Sequence, residues 1–286
     1  MARLLKGKMV ADSIMEENIR MVNTLKEKSI TPTLAIFRVG EKDGDLSYEK
    51  GACKKASDAG VEVIKYIFDE DVSTDEFYAK LDEANNNNNI HGILVLRPLP
   101  DRFNDDELRN RINPDKDVDG CNDISLGGLF IDKKIGFPPC TAKAVMEILK
   151  YYEIPVSRKN VVVIGRSLVI GKPVSMMLLN ENATVSICHS KTADIKEYTK
   201  KADIIICATG RMESIDASYV NDNASVIDVG ISWNENKQKL CGDVLFEEVE
   251  PIVKDITPVP GGVGSLTSTI LIQHVIEACA YAQDDN

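Results

Sequence analysis

The residue types most suggestive of chemistry lie in Gly165-Arg166-Ser167-Leu168-Val169-Ile170-Gly171, between an apolar run ending at Ile164 and a helical pattern from Pro173 to Asn180. A tight glycine turn from strand to helix presents backbone N–H groups of the helix N-terminus to a phosphate. The spacing is not the usual GxGxxG, so a turn that serves packing alone stands as the alternative. The next strand, Thr184 to Cys188, runs into His189-Ser190-Lys191-Thr192. That stretch lacks the Asp or Glu that holds the ribose 2′-hydroxyl in NAD-specific sites. Arg166, with Ser190 and Lys191 opposite, suits a 2′-phosphate instead, and the pattern favours NADP over NAD. Plain solvated charge is the competing reading of Arg166 and Lys191. His189 reads as a strand-end side chain rather than an acid or base. A second cluster, Thr257-Pro258-Val259-Pro260-Gly261-Gly262-Val263-Gly264, sets a special backbone path. It follows the final strand and reads as a ligand-facing loop.

The elements that must position these residues alternate along the chain. Helical spacing of Val10, Ile14, Ile19, Val22 and Leu25 predicts a helix over 9–28. Strands are predicted over 33–39, 61–68 and 91–96, with helices over 46–59 and 73–84 between them and a short helix over 105–111. Gly60 is the expected C-cap of the second helix, and Ser73 or Thr74 the N-cap of the third. The asparagine run 85–89 reads as a solvated loop. After Pro138-Pro139 the pattern restarts. Helices are predicted over 142–152, 173–180 and 193–201, strands over 160–165, 184–188, 203–208 and 225–230, and a closing helix over 266–283. Short strands, apolar on both faces and separated by helices, predict an α/β protein with parallel sheets covered on both sides.

Length and composition set limits. A chain of 286 residues suggests about two domains. Lys and Arg number 34 against 45 Asp and Glu, a net charge of −11, which disfavours a nucleic-acid partner. No apolar run reaches the ~18 residues of a membrane span, and the first residues do not read as a signal peptide. The seven cysteines are scattered without a CxxC pair and the histidines number three, so no metal site or disulfide framework is expected. Buried, reduced cysteines in a cytoplasmic protein are the expectation.

Taken together, the motifs resemble the methylenetetrahydrofolate dehydrogenase/methenyltetrahydrofolate cyclohydrolase family, bifunctional folate enzymes of one-carbon metabolism. The resemblance spans essentially the whole chain. It rests on Lys116-Asp117-Val118-Asp119-Gly120, Pro139-Cys140-Thr141, Gly165-Arg166-Ser167 with Gly171-Lys172-Pro173, and Ala183-Thr184-Val185 through Cys188-His189-Ser190. Val226 to Gly230, Gly242-Asp243-Val244 and the 257–264 loop complete it. It implies residues 1–140 plus 268–286 as a folate-binding catalytic domain, residues 141–267 as a Rossmann-type NADP-binding domain, and a cytosolic homodimer. By the same resemblance, Tyr48 lies against the aminobenzoyl ring of the folate and Asp119 hydrogen-bonds the pterin. Gly165, Arg166, Ser167, Ser190 and Ile231 contact NADP, and Gly261 and Gly262 lie near folate and nicotinamide.

The chain departs from the family pattern at places that touch chemistry. The family lysine four residues after the tyrosine is here Ala52. The family glutamine two residues before Pro-Leu-Pro is here Leu96. Pro-Cys-Thr is followed by Ala142-Lys143-Ala144 where Pro-x-Gly is usual, and the last glycine loop by Ser265-Leu266 where Pro-Met is usual. At ~100° per helical residue, neither Lys50 nor Lys54 reaches the place of Ala52. Hydride loss from the one-carbon bridge yields a cation and requires alignment rather than proton removal. Hydration and ring opening of that cation require proton transfer, which an aligned acid or base accelerates by ~10²–10⁴-fold. The expectation is an NADP-dependent methylenetetrahydrofolate dehydrogenase with weak or absent cyclohydrolase activity. The alternative is a fully bifunctional enzyme producing 10-formyltetrahydrofolate.

Overall fold

The computed structural model describes residues 1–284 and divides them into two compact units. Each unit is assembled from separate stretches of chain. The first comprises residues 1–12 and 141–267, the second residues 13–140 and those from 268 onward.

The chain begins with β1 (Arg3–Leu4) and α1 (Gly7–Glu27), whose first turns belong to the first unit and the remainder to the second. It then alternates through β2 (Thr33–Val39), α2 (Asp43–Ala59), β3 (Glu62–Phe68), α3 (Thr74–Asn86), β4 (Gly92–Val95), α4 (Asp105–Arg111) and α5 (Asp123–Phe130). These strands form a parallel sheet in the order β3-β2-β4. Central β2 is buried along its whole length, as a two-sided parallel strand should be. β3, at the edge, leaves Ile64 and Ile67 exposed, so the expectation of strands buried on both faces fails there. On one side of the sheet, Phe37, Phe77, Leu81 and Phe103 fill a core whose rings meet edge-on, Phe77 and Phe103 at 5.0 Å between centroids.

Local signals set the helix ends. Gly60 takes the left-handed conformation at φ +81°, and its N–H returns to Ser57 O, closing α2. The Ser73 hydroxyl accepts the Glu76 N–H at 3.1 Å and starts α3. The asparagine run is more ordered than a solvated loop. Asn85 and Asn86 complete α3, and the Asn85 amide donates to Arg111 O while its carbonyl accepts from Asn113 N.

The second half of the chain enters the first unit through α6 (Cys140–Tyr151). It continues through β5 (Asn160–Ile164), α7 (Gly171–Asn180), β6 (Thr184–Cys188), α8 (Ile195–Thr199), β7 (Ile204–Cys207) and β8 (Ser225–Asp228). A small antiparallel pair, β9 (Ser232–Asn234) and β10 (Lys239–Cys241), precedes α9 (Phe246–Val249) and β11 (Asp255–Ile256). A six-stranded parallel sheet runs β1-β11-β8-β7-β5-β6. Sequence reading assigned residues 1–140 to one domain. The first strand instead pairs with β11, Arg3 beside Asp255 and Leu4 beside Ile256, and the first twelve residues cluster with this sheet. The closing helix α10 (Thr267–Asp284) belongs almost wholly to the second unit, where Asn18 reaches Thr269 O.

All seven cysteines are free thiols. Five are buried, whereas Cys53 and Cys121 are half-buried, short of the full burial expected. No helix among the described residues is long and apolar enough to cross a membrane.

Candidate functional site

In the first unit, β5 and β6 are parallel neighbours with Ile164 opposite Cys188. Arg166 and Ser190 each follow that pair by two residues, so both emerge at the carboxyl end of the sheet on adjacent strands. Gly165 N donates to Cys188 O at 2.8 Å and holds the two ends together. The chain runs outward from β5 in both directions across the sheet, to β6 on one side and β7 on the other. That is the switch point where open α/β sheets bind ligands. Gly165 has φ +140°, and a Cβ there would fall 2.2 Å from Ala208 O at the end of β7. Only glycine allows this approach.

Beyond the glycine, Arg166, Ser167 and Lys191 are exposed, as is Ser190. The His189 ring accepts the Lys191 N–H at 3.1 Å, and Thr192 Oγ1 accepts the His189 N–H at 2.9 Å. His189 therefore shapes the loop, as expected of a strand-end side chain. The donor set is one guanidinium, one ammonium and two hydroxyls, with no carboxylate at the end of β6. These residues fit a dinucleotide carrying a 2′-phosphate.

A cavity of about 230 Å³ in the same unit collects Ile231, Gly261 and Gly262 with Val229, Pro258 and Pro260. Two buried carboxylates that sequence reading missed hold its walls. Asp228 Oδ1 accepts the N–H groups of Gly230 and Asp243, both at 3.0 Å, and Oδ2 that of Val244 at 3.0 Å. Asp243 Oδ2 accepts from Thr209 N at 2.5 Å and Gly210 N at 3.1 Å. Burial pushes the Asp228 carboxyl up to about 7 against these N–H donors. The available sequence signal was an acid at the end of an apolar strand followed by Val-Gly, which only a buried acceptor role explains.

In the second unit, α2 carries Tyr48 and, one turn later, Ala52. Ala52 is fully buried, while Lys50 and Lys54 are exposed. Leu96, just past β4, is also buried, and its N–H continues the sheet by donating to Phe37 O at 3.0 Å. Neither side chain can carry a proton.

Asp119 sits in a turn tied down by its neighbours. Asp117 is buried and accepts the N–H groups of Cys121 at 3.0 Å and Asn122 at 2.8 Å, and the Ser125 hydroxyl at 2.7 Å. Gly120 has φ +69°, and a Cβ there would meet Pro139 N at 2.4 Å. Cys140 donates to Val118 O at 3.3 Å, and its thiol lies against the Asp119 carboxylate. Burial raises the Asp119 carboxyl to about 6, with Asp117 adding to the rise and Arg97 and the Cys140 thiol opposing it. Burial likewise drives the Tyr48 phenol well above its ordinary value, and the charges at Asp119 and Cys140 add to this. Tyr48 and Asp119 therefore share one electrostatic environment, with the phenol neutral.

Arg97 is the residue that sequence reading passed over. Its side chain is 21% exposed, with Nη1 bonded to Asp105 at 3.2 Å and Nη2 3.9 Å from Asp119 Oδ2. The signal was a lone cation closing an apolar strand before Pro-Leu-Pro.

Two family patterns cover most of the chain. Tetrahydrofolate dehydrogenase/cyclohydrolase, catalytic domain, matches residues 5–119, and Tetrahydrofolate dehydrogenase/cyclohydrolase, NAD(P)-binding domain, matches residues 139–283. The chain belongs to the tetrahydrofolate dehydrogenase/cyclohydrolase family. It is 47% identical over 281 residues to the "Bifunctional protein FolD" of Clostridium kluyveri, covering 98% of this chain and 99% of that protein. The crystal structure of the bifunctional enzyme FolD from Campylobacter jejuni superposes with a TM-score of 0.95 at 39% identity, covering 98% of this chain and 99% of that one. The Trypanosoma brucei FolD, complexed with NADP cofactor and inhibitor, superposes with a TM-score of 0.92 at 30% identity, covering 99% and 98%. Within the family's two-domain α/β fold, the glycine turn and the 230 Å³ cavity lie in the matched NAD(P)-binding region, and Tyr48, Ala52, Leu96 and Asp119 in the matched catalytic region.

Proposed function

We propose that this protein oxidises 5,10-methylenetetrahydrofolate to 5,10-methenyltetrahydrofolate with NADP, and that its cyclohydrolase step is weak or absent. The observation that carries the reading is an asymmetry. The glycine turn and the shared Tyr48–Asp119 environment offer groups for cofactor and pterin, whereas Ala52 and Leu96, which the family resemblance puts at the positions of the proton-handling pair, are buried and apolar.

Bound NADP would supply the hydride acceptor at its nicotinamide C4. Arg166 and Ser190 would hold the 2′-phosphate, and the Gly165 turn would bring backbone N–H groups to the pyrophosphate. Gly261, Gly262 and Ile231 would shape the cavity wall. On the substrate, ionised Asp119 would accept the 2-amino and N3 hydrogens of the pterin. The neutral Tyr48 ring would lie against the aminobenzoyl group and fix the direction of the one-carbon bridge. Departure of the hydride leaves its positive charge delocalised over N5 and N10, so no side chain need take a proton. Alignment is then the main catalytic device, and aligned reactants gain up to ~7–11 kcal/mol.

The trypanosomal relative complexed with NADP supports the cofactor choice. The homodimer implied by the resemblance has support in exposed Ile64 and Ile67 on edge strand β3. A fully bifunctional enzyme is the second reading, favoured by the 47% identity to the bifunctional protein of C. kluyveri. Paired assays separate them: NADPH formation from methylenetetrahydrofolate, and loss of methenyltetrahydrofolate absorbance. Robust enzyme-dependent decay in the second assay would favour the bifunctional reading.

A further inference from the structure

We propose that Arg97 is a substrate-binding residue that donates a hydrogen bond to the C4 carbonyl of the pterin beside Asp119, so that the two side chains select a 4-oxo pterin edge. The inference rests on the folate reading above.

The geometry is that of two heads facing one edge. Arg97 lies two residues past the end of β4, after Leu96, and its side chain is about four-fifths buried. Its one hydrogen-bonding carboxylate, Asp105, stands 62% exposed at 3.2 Å from Nη1. Nη2 stops 3.9 Å from Asp119 Oδ2. That gap is too long for a hydrogen bond and short enough for a shared ligand. A guanidinium carries five N–H donors and no acceptor, and a carboxylate is acceptor only.

The pyrimidinone edge of a pterin presents the 2-amino and N3 donors and then, directly beside them, the C4 carbonyl acceptor. A carboxylate alone satisfies the two donors and leaves the carbonyl beside a half-buried charge of the wrong sign. Arg97 supplies the missing donor. Arg97 is a permanent cation and cannot take up a proton as a base, so it does not stand in for a proton carrier.

The charged and titratable groups around this pair are Asp105 and Cys121 facing Arg97, with Asp117, Cys140 and Tyr48 facing Asp119. For Arg97, burial opposes the charged form, while Cys121, Asp119 and Asp105 outweigh it and keep the guanidinium charged. Arg97 in turn lowers the Asp119 carboxyl. Removing Arg97 therefore raises the titration of Asp119.

The test compares the full-length protein with its R97L, R97K and D105N variants. The probes are folic acid, which carries the 4-oxo group, and its 4-amino analogue aminopterin. Wild type is expected to bind the 4-oxo ligand more tightly. R97L should weaken 4-oxo binding by about tenfold, as for a lost charge-assisted hydrogen bond, and leave the 4-amino ligand unchanged. It should raise KM for methylenetetrahydrofolate more than it lowers kcat, and move the acid limb of kcat/KM to higher pH. R97K should recover part of the preference, and D105N should keep it. If R97L weakens both ligands equally, or D105N abolishes the preference, Arg97 serves only to brace α4 and the inference falls. Unchanged binding in R97L also ends it. A wild-type protein that binds neither ligand and forms no NADPH from methylenetetrahydrofolate would end the folate reading itself. An active wild type with an indifferent R97L would end this inference alone.

Discussion

Ala52 follows Tyr48 by one turn of α2 and its methyl group is wholly enclosed, while Lys50 and Lys54 on the same helix reach solvent. The protein is therefore expected to form NADPH from methylenetetrahydrofolate while barely accelerating methenyltetrahydrofolate hydrolysis. An A52K variant alone should recover little, since Leu96 leaves the new ammonium without a partner, and should melt lower because it buries a charge. The A52K/L96Q double variant should raise hydrolysis toward the ~10²-fold that an aligned acid/base supplies. Absorbance decay and thermal melts of the three proteins check this.

Asp119 gives the dehydrogenase its expected pH dependence. With its carboxyl at about 6, lowering the pH through that value protonates Asp119 and removes the acceptor that the proposed pterin contact requires. kcat/KM for methylenetetrahydrofolate should fall on the acid side of about pH 6, and D119N should lose that limb along with most of the activity. For the free protein the sign is opposite. A carboxyl raised in the folded state from 3.8 to about 6 holds its proton where the unfolded chain has released it. Its contribution to stability therefore declines as pH rises across that window. Rate profiles and denaturant titrations at matched pH values separate the two effects.

Arg166 and Ser190 should decide between NADP and NAD. A charge-assisted hydrogen bond is worth about 1.5–3 kcal/mol, so R166A should reduce kcat/KM for NADP by roughly 10- to 100-fold and leave NAD turnover nearly unchanged. S190A should have the smaller effect. An equal fall with both cofactors would assign Arg166 to the fold instead. G165A should lose cofactor binding entirely, since its Cβ would fall 2.2 Å from Ala208 O.

Glu49, next to Tyr48, is buried between two cations. Arg38 Nε bonds Glu49 Oε2 at 2.8 Å, and Lys65 Nζ bonds Oε1 at 2.7 Å. The Arg38 side chain is only 6% exposed, so E49Q strands its charge. Breaking such a buried pair costs about 3–5 kcal/mol. E49Q should show a clearly lower urea midpoint with the slope unchanged.

Strong local signals were legible in the sequence. β2 carries the continuous apolar stretch Leu34 to Phe37, and α4 is bounded by Asn104 as N-cap and Ile112 in extended conformation, so both were placed to the residue. Weak signals were not. β1 is two residues whose strand character comes only from pairing with β11, some 250 positions away. α5 carries Gly127 and Gly128 against helix propensity and depends on the Asn122 side chain accepting the Ile124 N–H at 2.7 Å. The glycine turn announced its ligand class because its backbone demand is unusual. Arg97 did not announce itself, because a single arginine acquires meaning only when folding brings Asp119 within 3.9 Å.

The pairing of β1 with β11 and the enrolment of α10 among residues 13–140 bear on how the polypeptide matures. Scission between positions 140 and 141 would yield two fragments, each missing a piece held by the other: the leading fragment its last helix, the trailing fragment its outermost strand. The body that begins at residue 13 stays incomplete on the ribosome until the carboxyl-terminal helix has emerged, and the other until residue 267 has, so fragment complementation, rather than autonomous expression of halves, is the route by which this enzyme could be reassembled from parts.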